Sequence, residues 1–127
     1  MKRKIAIILG MALISSSVTA FASSYGSYNT TVGKIAGYGY SGYLQQITTG
    51  ASPSVDSTYV GGDYLVSVRA QDDNGNTGSW TSDLGDDTCC YLSVSNKFLK
   101  DDNVRLQFKN NLSTTVNVQV SGTWATH

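Results

Sequence analysis

Glutamate is missing from this 127-residue chain, and histidine occurs once, as His127. Proline also occurs once, as Pro53, and cysteine only as the adjacent pair Cys89 and Cys90. Both methionines, Met1 and Met11, lie near the start. Each shortage excludes something. A serine-protease-like triad needs a positioned imidazole, and a last residue such as His127 is expected to fray. A structural zinc site needs four nitrogen or sulfur ligands, and nothing near the two thiols completes such a set. Two neighbouring cysteines cannot form a conventional long-range disulfide, because adjacent Cα atoms lie closer than that bond allows. Strong helix formers are scarce, which disfavours a helical fold. The chain also lacks an apolar run long enough to cross a bilayer.

What is present begins with a leader. Lys2-Arg3-Lys4 is followed by the apolar run Ile5–Ile14, a polar stretch from Ser15 to Thr19, and Ala20-Phe21-Ala22. That order is the layout of a secretory signal peptide with cleavage after Ala22. The expected products are a leader, residues 1–22, and one secreted domain, residues 23–127. The remaining chain keeps six basic residues against nine aspartates, a net charge of −3. An acidic balance argues against nucleic acid and anionic membranes as partners, since both require a basic footprint.

Beyond Ala22, Ser and Thr supply 26 residues, Gly 12 and Asn 8, and tyrosine and valine are frequent. These suit strands and turns. Val104, Leu106 and Phe108 alternate with Arg105, Gln107 and Lys109, and Val116, Val118 and Val120 alternate with Asn117, Gln119 and Ser121. Period-two alternation marks half-buried strands. With Asn110–Ser113 read as a turn, these two are expected to pair as a hairpin. Tyr64, Val66, Val68 and Ala70 form another alternating run, followed by the turn signal Asn74-Gly75 and a return strand at Gly78–Thr81. Thr88–Ser95 is a further strand that turns Cys90, Leu92 and Val94 to one side. Thr30–Ala36 and Tyr38–Thr48 complete the set, and residues 50–62 read as a connection with a short edge strand near Val60. Six to seven strands of this kind predict an all-β fold, an antiparallel β-sandwich or a small barrel.

Three groups of residues invite a functional reading. Five of the eight tyrosines fall between Tyr25 and Tyr43. Of these, Tyr38, Tyr40 and Tyr43 are candidate binding residues, since exposed rings give rigid contact area and stack on sugars. The competing reading puts Tyr38 and Tyr40 in the core. Cys89 and Cys90 project to opposite faces if their segment is a regular strand, as free thiols or with Cys89 bridging to another chain; in a turn they could close a vicinal disulfide. Asp72, Asn74, Asn76 and Asp83 stand at the first, third, fifth and twelfth positions of a calcium-loop-like spacing. Thr77 and Asp83 depart from it where Gly and Glu are wanted, and turn formation explains the same residues without metal. No cofactor is otherwise implied. No catalytic constellation emerges, so the chain is not expected to be an enzyme.

The segment Val104-Arg-Leu-Gln-Phe-Lys-Asn-Asn, with Val118-Gln-Val-Ser-Gly-Thr-Trp after it, resembles the closing strands of small secreted β-rich proteins of Gram-positive bacteria. The resemblance covers the last quarter of the chain and implies an extracellular β domain without a defined activity. The resulting expectation is a secreted, non-catalytic binding or structural protein, monomeric or linked through a cysteine. Its partner would be extracellular, a cell-envelope polymer or a protein. The alternative, from another class, is an antimicrobial or toxin-like (bacteriocin-like) protein acting on other cells.

Overall fold

A computed structural model describes residues 23–127; the leader and its cleavage site lie outside the described residues. Nine strands are present among them: β1 (Ser24–Val32), β2 (Tyr38–Tyr40), β3 (Leu44–Gln45), β4 (Ser54–Val60), β5 (Val66–Asp72), β6 (Thr81–Leu84), β7 (Thr88–Tyr91), β8 (Asn103–Asn110) and β9 (Val118–Thr126). They form two antiparallel sheets. One has the order β1-β9-β4-β7, the other β2-β8-β5-β6, with β3 also pairing β8. The fold is therefore the sandwich, not the barrel.

Alternation builds the core. Val66, Val68 and Ala70 of β5 and Val104, Leu106 and Phe108 of β8 face inward from one sheet. Val118, Val120 and Trp124 of β9, with Val55 and Val60 of β4, face them from the other, and all belong to one buried cluster. Both inner faces hide rows of β-branched and aromatic side chains, which is the main stabilising force of such a sandwich. Tyr28 sits opposite Gly122 in the β1–β9 ladder. Its ring covers the glycine and lies against Phe108, with centroids 4.9 Å apart.

The expected hairpin between residues 104–109 and 116–124 does not form. β8 pairs with β5 and the edge pieces β2 and β3, whereas β9 pairs with β1 and β4. The two strands face each other across the core instead of sharing a ladder. Asn110 explains the crossing. Its buried amide nitrogen donates to the carbonyls of Gly33 (3.1 Å), Val116 (3.3 Å) and Val32 (3.4 Å). Ile35 N donates to Thr114 O at 2.7 Å and Ala36 N to Asn111 O at 3.2 Å. The 111–117 link and the 33–37 loop thus pass between the sheets side by side, each satisfying the other's main chain.

Other boundaries shift as well. Residues 54–60, expected as connection, form the full strand β4, whose buried Val55, Ser57 and Val60 face the core across a β-bulge in its pairing with β9. The first strand begins at Ser24, six residues earlier than the apolar pattern indicated, because its outward positions are Ser, Asn, Thr and Tyr. The segment expected as one strand from Tyr38 to Thr48 is broken into β2 and β3, two pieces along the same edge of β8. These changes raise six or seven strands to nine.

Candidate functional site

The outer face of the β2-β8-β5-β6 sheet gathers the chemistry. The reason is local. Gly39 faces inward between two tyrosines, and a Cβ there would lie 2.7 Å from Thr31 O. Only glycine lets β2 pack this closely on β1. Alternation then turns Tyr38 and Tyr40 outward, where they are 48% and 38% exposed, with Tyr43 at 48%. The core alternative for Tyr38 and Tyr40 is thereby corrected.

Across the ladder, Tyr38 is opposite Lys109 and Tyr40 opposite Gln107. On the next rung set, Ser67, Arg69 and Gln71 of β5 oppose Lys109, Gln107 and Arg105. Trp80, just before β6, completes the surface: its ring is parallel to that of Tyr38 within 6°, with centroids 6.4 Å apart. Arg69 lies over Trp80 at 4.3 Å, with Lys109 Nζ 5.7 Å from the same ring. Arg105 lies over Tyr40 at 4.1 Å and near Tyr43 at 5.2 Å. Arg69 Nε donates to Gln107 Oε1 (2.7 Å), and Arg105 Nε donates to Gln71 Oε1 (2.9 Å). The structure therefore brings all three candidate tyrosines to one surface and adds Trp80, Arg69, Arg105, Lys109 and Gln107. The outward positions of β5 and β8 were legible as polar alternation, but which of them meet the tyrosines depends on strand order.

The turn residues do something else. Asp72 is buried; its Oδ1 accepts from Asn74 N (3.0 Å) and Asn76 N (2.7 Å), and its Oδ2 from Asn76 Nδ2 (2.8 Å). Asp72, Asn74 and Asn76 thus close the Asn74-Gly75 turn, and Asp83 lies apart on β6 with φ 64°. Among the described residues no three His, Cys, Asp or Glu side chains converge as metal ligands.

The outer face of the other sheet carries a trough of about 330 Å³, walled by Tyr25 and Tyr91 and floored by Asp56, Cys89 and Ala125. Cys89 and Cys90 are free and lie in β7, Cys89 exposed and Cys90 packed partly into the core. Cys89 Sγ donates to Asp56 Oδ1 at 3.3 Å. That hydrogen bond and the carboxylate charge push the Cys89 thiol above its ordinary range, while burial does so for Cys90. An activated nucleophilic cysteine is shifted the other way. His127 is not frayed: Nδ1 lies 2.8 Å from Ser23 Oγ and Nε2 3.0 Å from Ser54 Oγ. Its main-chain oxygen accepts from Ile47 N and Thr48 N. Position in sequence misled here, because strand β9 runs to Thr126 and anchors its neighbour.

The fold and this outer face together define a β-sandwich with one aromatic and cationic outer surface. No family model and no curated protein matches the chain.

Proposed function

We propose that the protein is exported through its leader and acts outside the cell as a non-catalytic binding protein. Its binding surface is the outer face that carries Tyr38, Tyr40 and Tyr43, and its partner is a glycan of the cell envelope. One observation supports this reading above the rest. Gly39 packs against Thr31 and turns Tyr38 and Tyr40 outward from the edge strand, where their rings stay half-exposed and fill no core. Rings held by a sheet lose little further entropy when a sugar stacks on them. Monomer and cysteine-linked dimer are both compatible with the exposed Cys89.

The test is retention of residues 23–127 on washed cell walls, compared with the Tyr38→Ala, Tyr40→Ala, Tyr43→Ala triple variant. Retention lost in the variant, with an unchanged circular dichroism spectrum, supports the reading. Unchanged retention refutes it. Growth inhibition of neighbouring strains without wall retention would transfer the role to the toxin-like class.

A further inference from the structure

Three of the six basic residues outside the leader, Arg69, Arg105 and Lys109, converge on this one face. They do so in a chain whose balance beyond Ala22 is −3. The outward positions of β2, β5 and β8 hold Tyr38, Tyr40, Ser67, Arg69, Gln71, Asn103, Arg105, Gln107 and Lys109, with no acid among them. Asp73, beyond the end of β5, is taken up by Asn103 Nδ2 at 3.0 Å. Asp83 belongs to the far edge strand β6. At the Lys109 end the face opens into a hollow of about 420 Å³ between Trp80, Ser67, Ser82, Asn111 and Leu112, and Lys109 is its one charged lining residue.

The two arginines are built alike. Each is tied at Nε to a glutamine oxygen on the neighbouring strand, and each lies against an aromatic ring. A guanidinium anchored at Nε and stacked on a ring keeps its two terminal nitrogens as a fork in a fixed plane. That fork matches the paired oxygens of a carboxylate or phosphate. Gln107 is nearly fully buried, so the Arg69 anchor is itself fixed. Arg69 and Arg105 occupy diagonal positions of the β5–β8 ladder, about 7–8 Å apart at the backbone. From Arg105 to Lys109 along β8 is about 13 Å. The cations form a short line beside the rings, not a single point.

We infer that the ligand of this face is an anionic polysaccharide, its acidic groups held by the forks of Arg69 and Arg105 and by Lys109 while its sugar rings lie against Tyr38, Tyr40, Tyr43 and Trp80. This inference rests on the surface proposed above and names the chemistry of its ligand. The acidic group is a uronate carboxylate or a backbone phosphodiester, which present the same paired oxygens. A neutral glycan needs no cations, and a cation-lined face without acids would hold it no better than rings alone. Rings interleaved with cations also suit a single-stranded nucleic acid; the action outside the cell proposed above favours the acidic glycan, and the nucleic acid is an outcome of the test.

Affinity electrophoresis of residues 23–127 through gels holding polygalacturonate, a phosphodiester-bearing mannan, neutral galactan or single-stranded oligothymidylate tests this. Expected is retardation by one or both acidic polymers, weakening with added salt, and none by galactan. Arg69→Gln with Arg105→Gln should weaken it by about tenfold or more. The Arg69→Lys, Arg105→Lys pair, which keeps charge but loses the fork, should fall between. Thermal unfolding of each variant checks the fold; Arg69 and Arg105 are half-buried on the outer face and lie outside the core cluster. Carboxylate and phosphate sources separate by which acidic gel retards. Equal retardation by galactan, insensitive to the arginine changes yet lost in the tyrosine variant, overturns the inference and leaves the surface standing. Tighter binding of oligothymidylate than of either acidic glycan overturns it in favour of nucleic acid. Absence of retardation in every acidic gel also overturns it, and wall retention unaffected by the tyrosine variant separately removes the surface.

Discussion

The two outer faces of the sandwich differ far more than the two inner ones. Inside, both sheets present valines and aromatic rings in alternation, and the chain reads alike on either side. Outside, the β1-β9-β4-β7 sheet shows hydroxyls, amides, Asp56, Tyr25, Tyr91 and a thiol, whereas the β2-β8-β5-β6 sheet shows rings with arginines stacked on them. Burial disciplines an inner face, since any polar intruder there loses hydration. An outer face is free of that requirement. Its composition is thus the better guide to what a sandwich meets, and here the guide points to one face.

If the inner faces are equivalent, charge should be equally intolerable on both. Val118→Asp and Val68→Asp each place an unpaired carboxylate at a fully buried position, one per sheet. Each should cost about 4 kcal/mol or more and unfold a domain of this size. Loss of the strand signal in far-UV circular dichroism checks it. Tolerance of either one would show that its sheet is not half of a shared core.

Glycine sharpens the contrast at closer range. Gly122→Ala sets a Cβ 2.7 Å from the Tyr28 hydroxyl and against the Asp56 carbonyl, in the middle of a sheet. Gly39→Ala sets one 2.7 Å from Thr31 O, at an edge. Overpacking of this kind costs about 1–3 kcal/mol. The central site should lie near the upper limit and the edge near the lower, since an edge strand can yield. Urea denaturation midpoints would rank them. Gly39→Ala should also weaken wall retention by displacing Tyr38 and Tyr40, whereas Gly122→Ala should leave retention intact wherever the protein remains folded.

Alkali tests the buried tyrosine of the inner face. Burial pushes the Tyr28 hydroxyl from 10.0 up to about 12. Its neutral form is favoured by folding, so the stabilisation is full below pH 10 and is lost as pH rises toward about 12. The loss approaches ~3 kcal/mol for two pH units. Tyr28→Phe should flatten that alkaline decline in the urea midpoint. A decline unchanged by Tyr28→Phe would place its origin elsewhere.

The smallest effect concerns the thiols. Asp56 holds Cys89 protonated through its hydrogen bond and charge. Alkylation by iodoacetamide should mark exposed Cys89 before Cys90 and speed up with rising pH. Asp56→Asn should quicken it several-fold at neutral pH, because the thiolate is then less disfavoured. Equal rates in both proteins would remove Asp56 from the account. Mass spectrometry of the untreated protein distinguishes free thiols, a vicinal bond and a covalent dimer.

Much of the fold was legible residue by residue. The runs at Val66–Ala70, Val104–Phe108 and Val118–Val120 named their own inward faces, because a strand's side chains alternate whatever it pairs with. The Asn74-Gly75 turn and the Cys90, Leu92 and Val94 side of β7 and its continuation were legible for the same local reason. β4 was not, since Ser54, Asp56, Ser57 and Thr58 make most of it polar and only its neighbours β9 and β7 make it a strand.

The chain by itself determined the fold class, the inward residues of the regular strands and the concentration of tyrosine ahead of residue 44. Tertiary structure alone decided that β8 and β9 oppose each other across the core instead of pairing. It also decided that Trp80 stacks beside Tyr38 and that Arg105 lies over Tyr40 and near Tyr43, pairs far apart in the chain. The physical reason is that every strand offers the same main-chain donors and acceptors. Alternation therefore fixes which way a side chain points, and only the packing of both sheets, with Asn110 holding the crossing, selects which strand lies next to it.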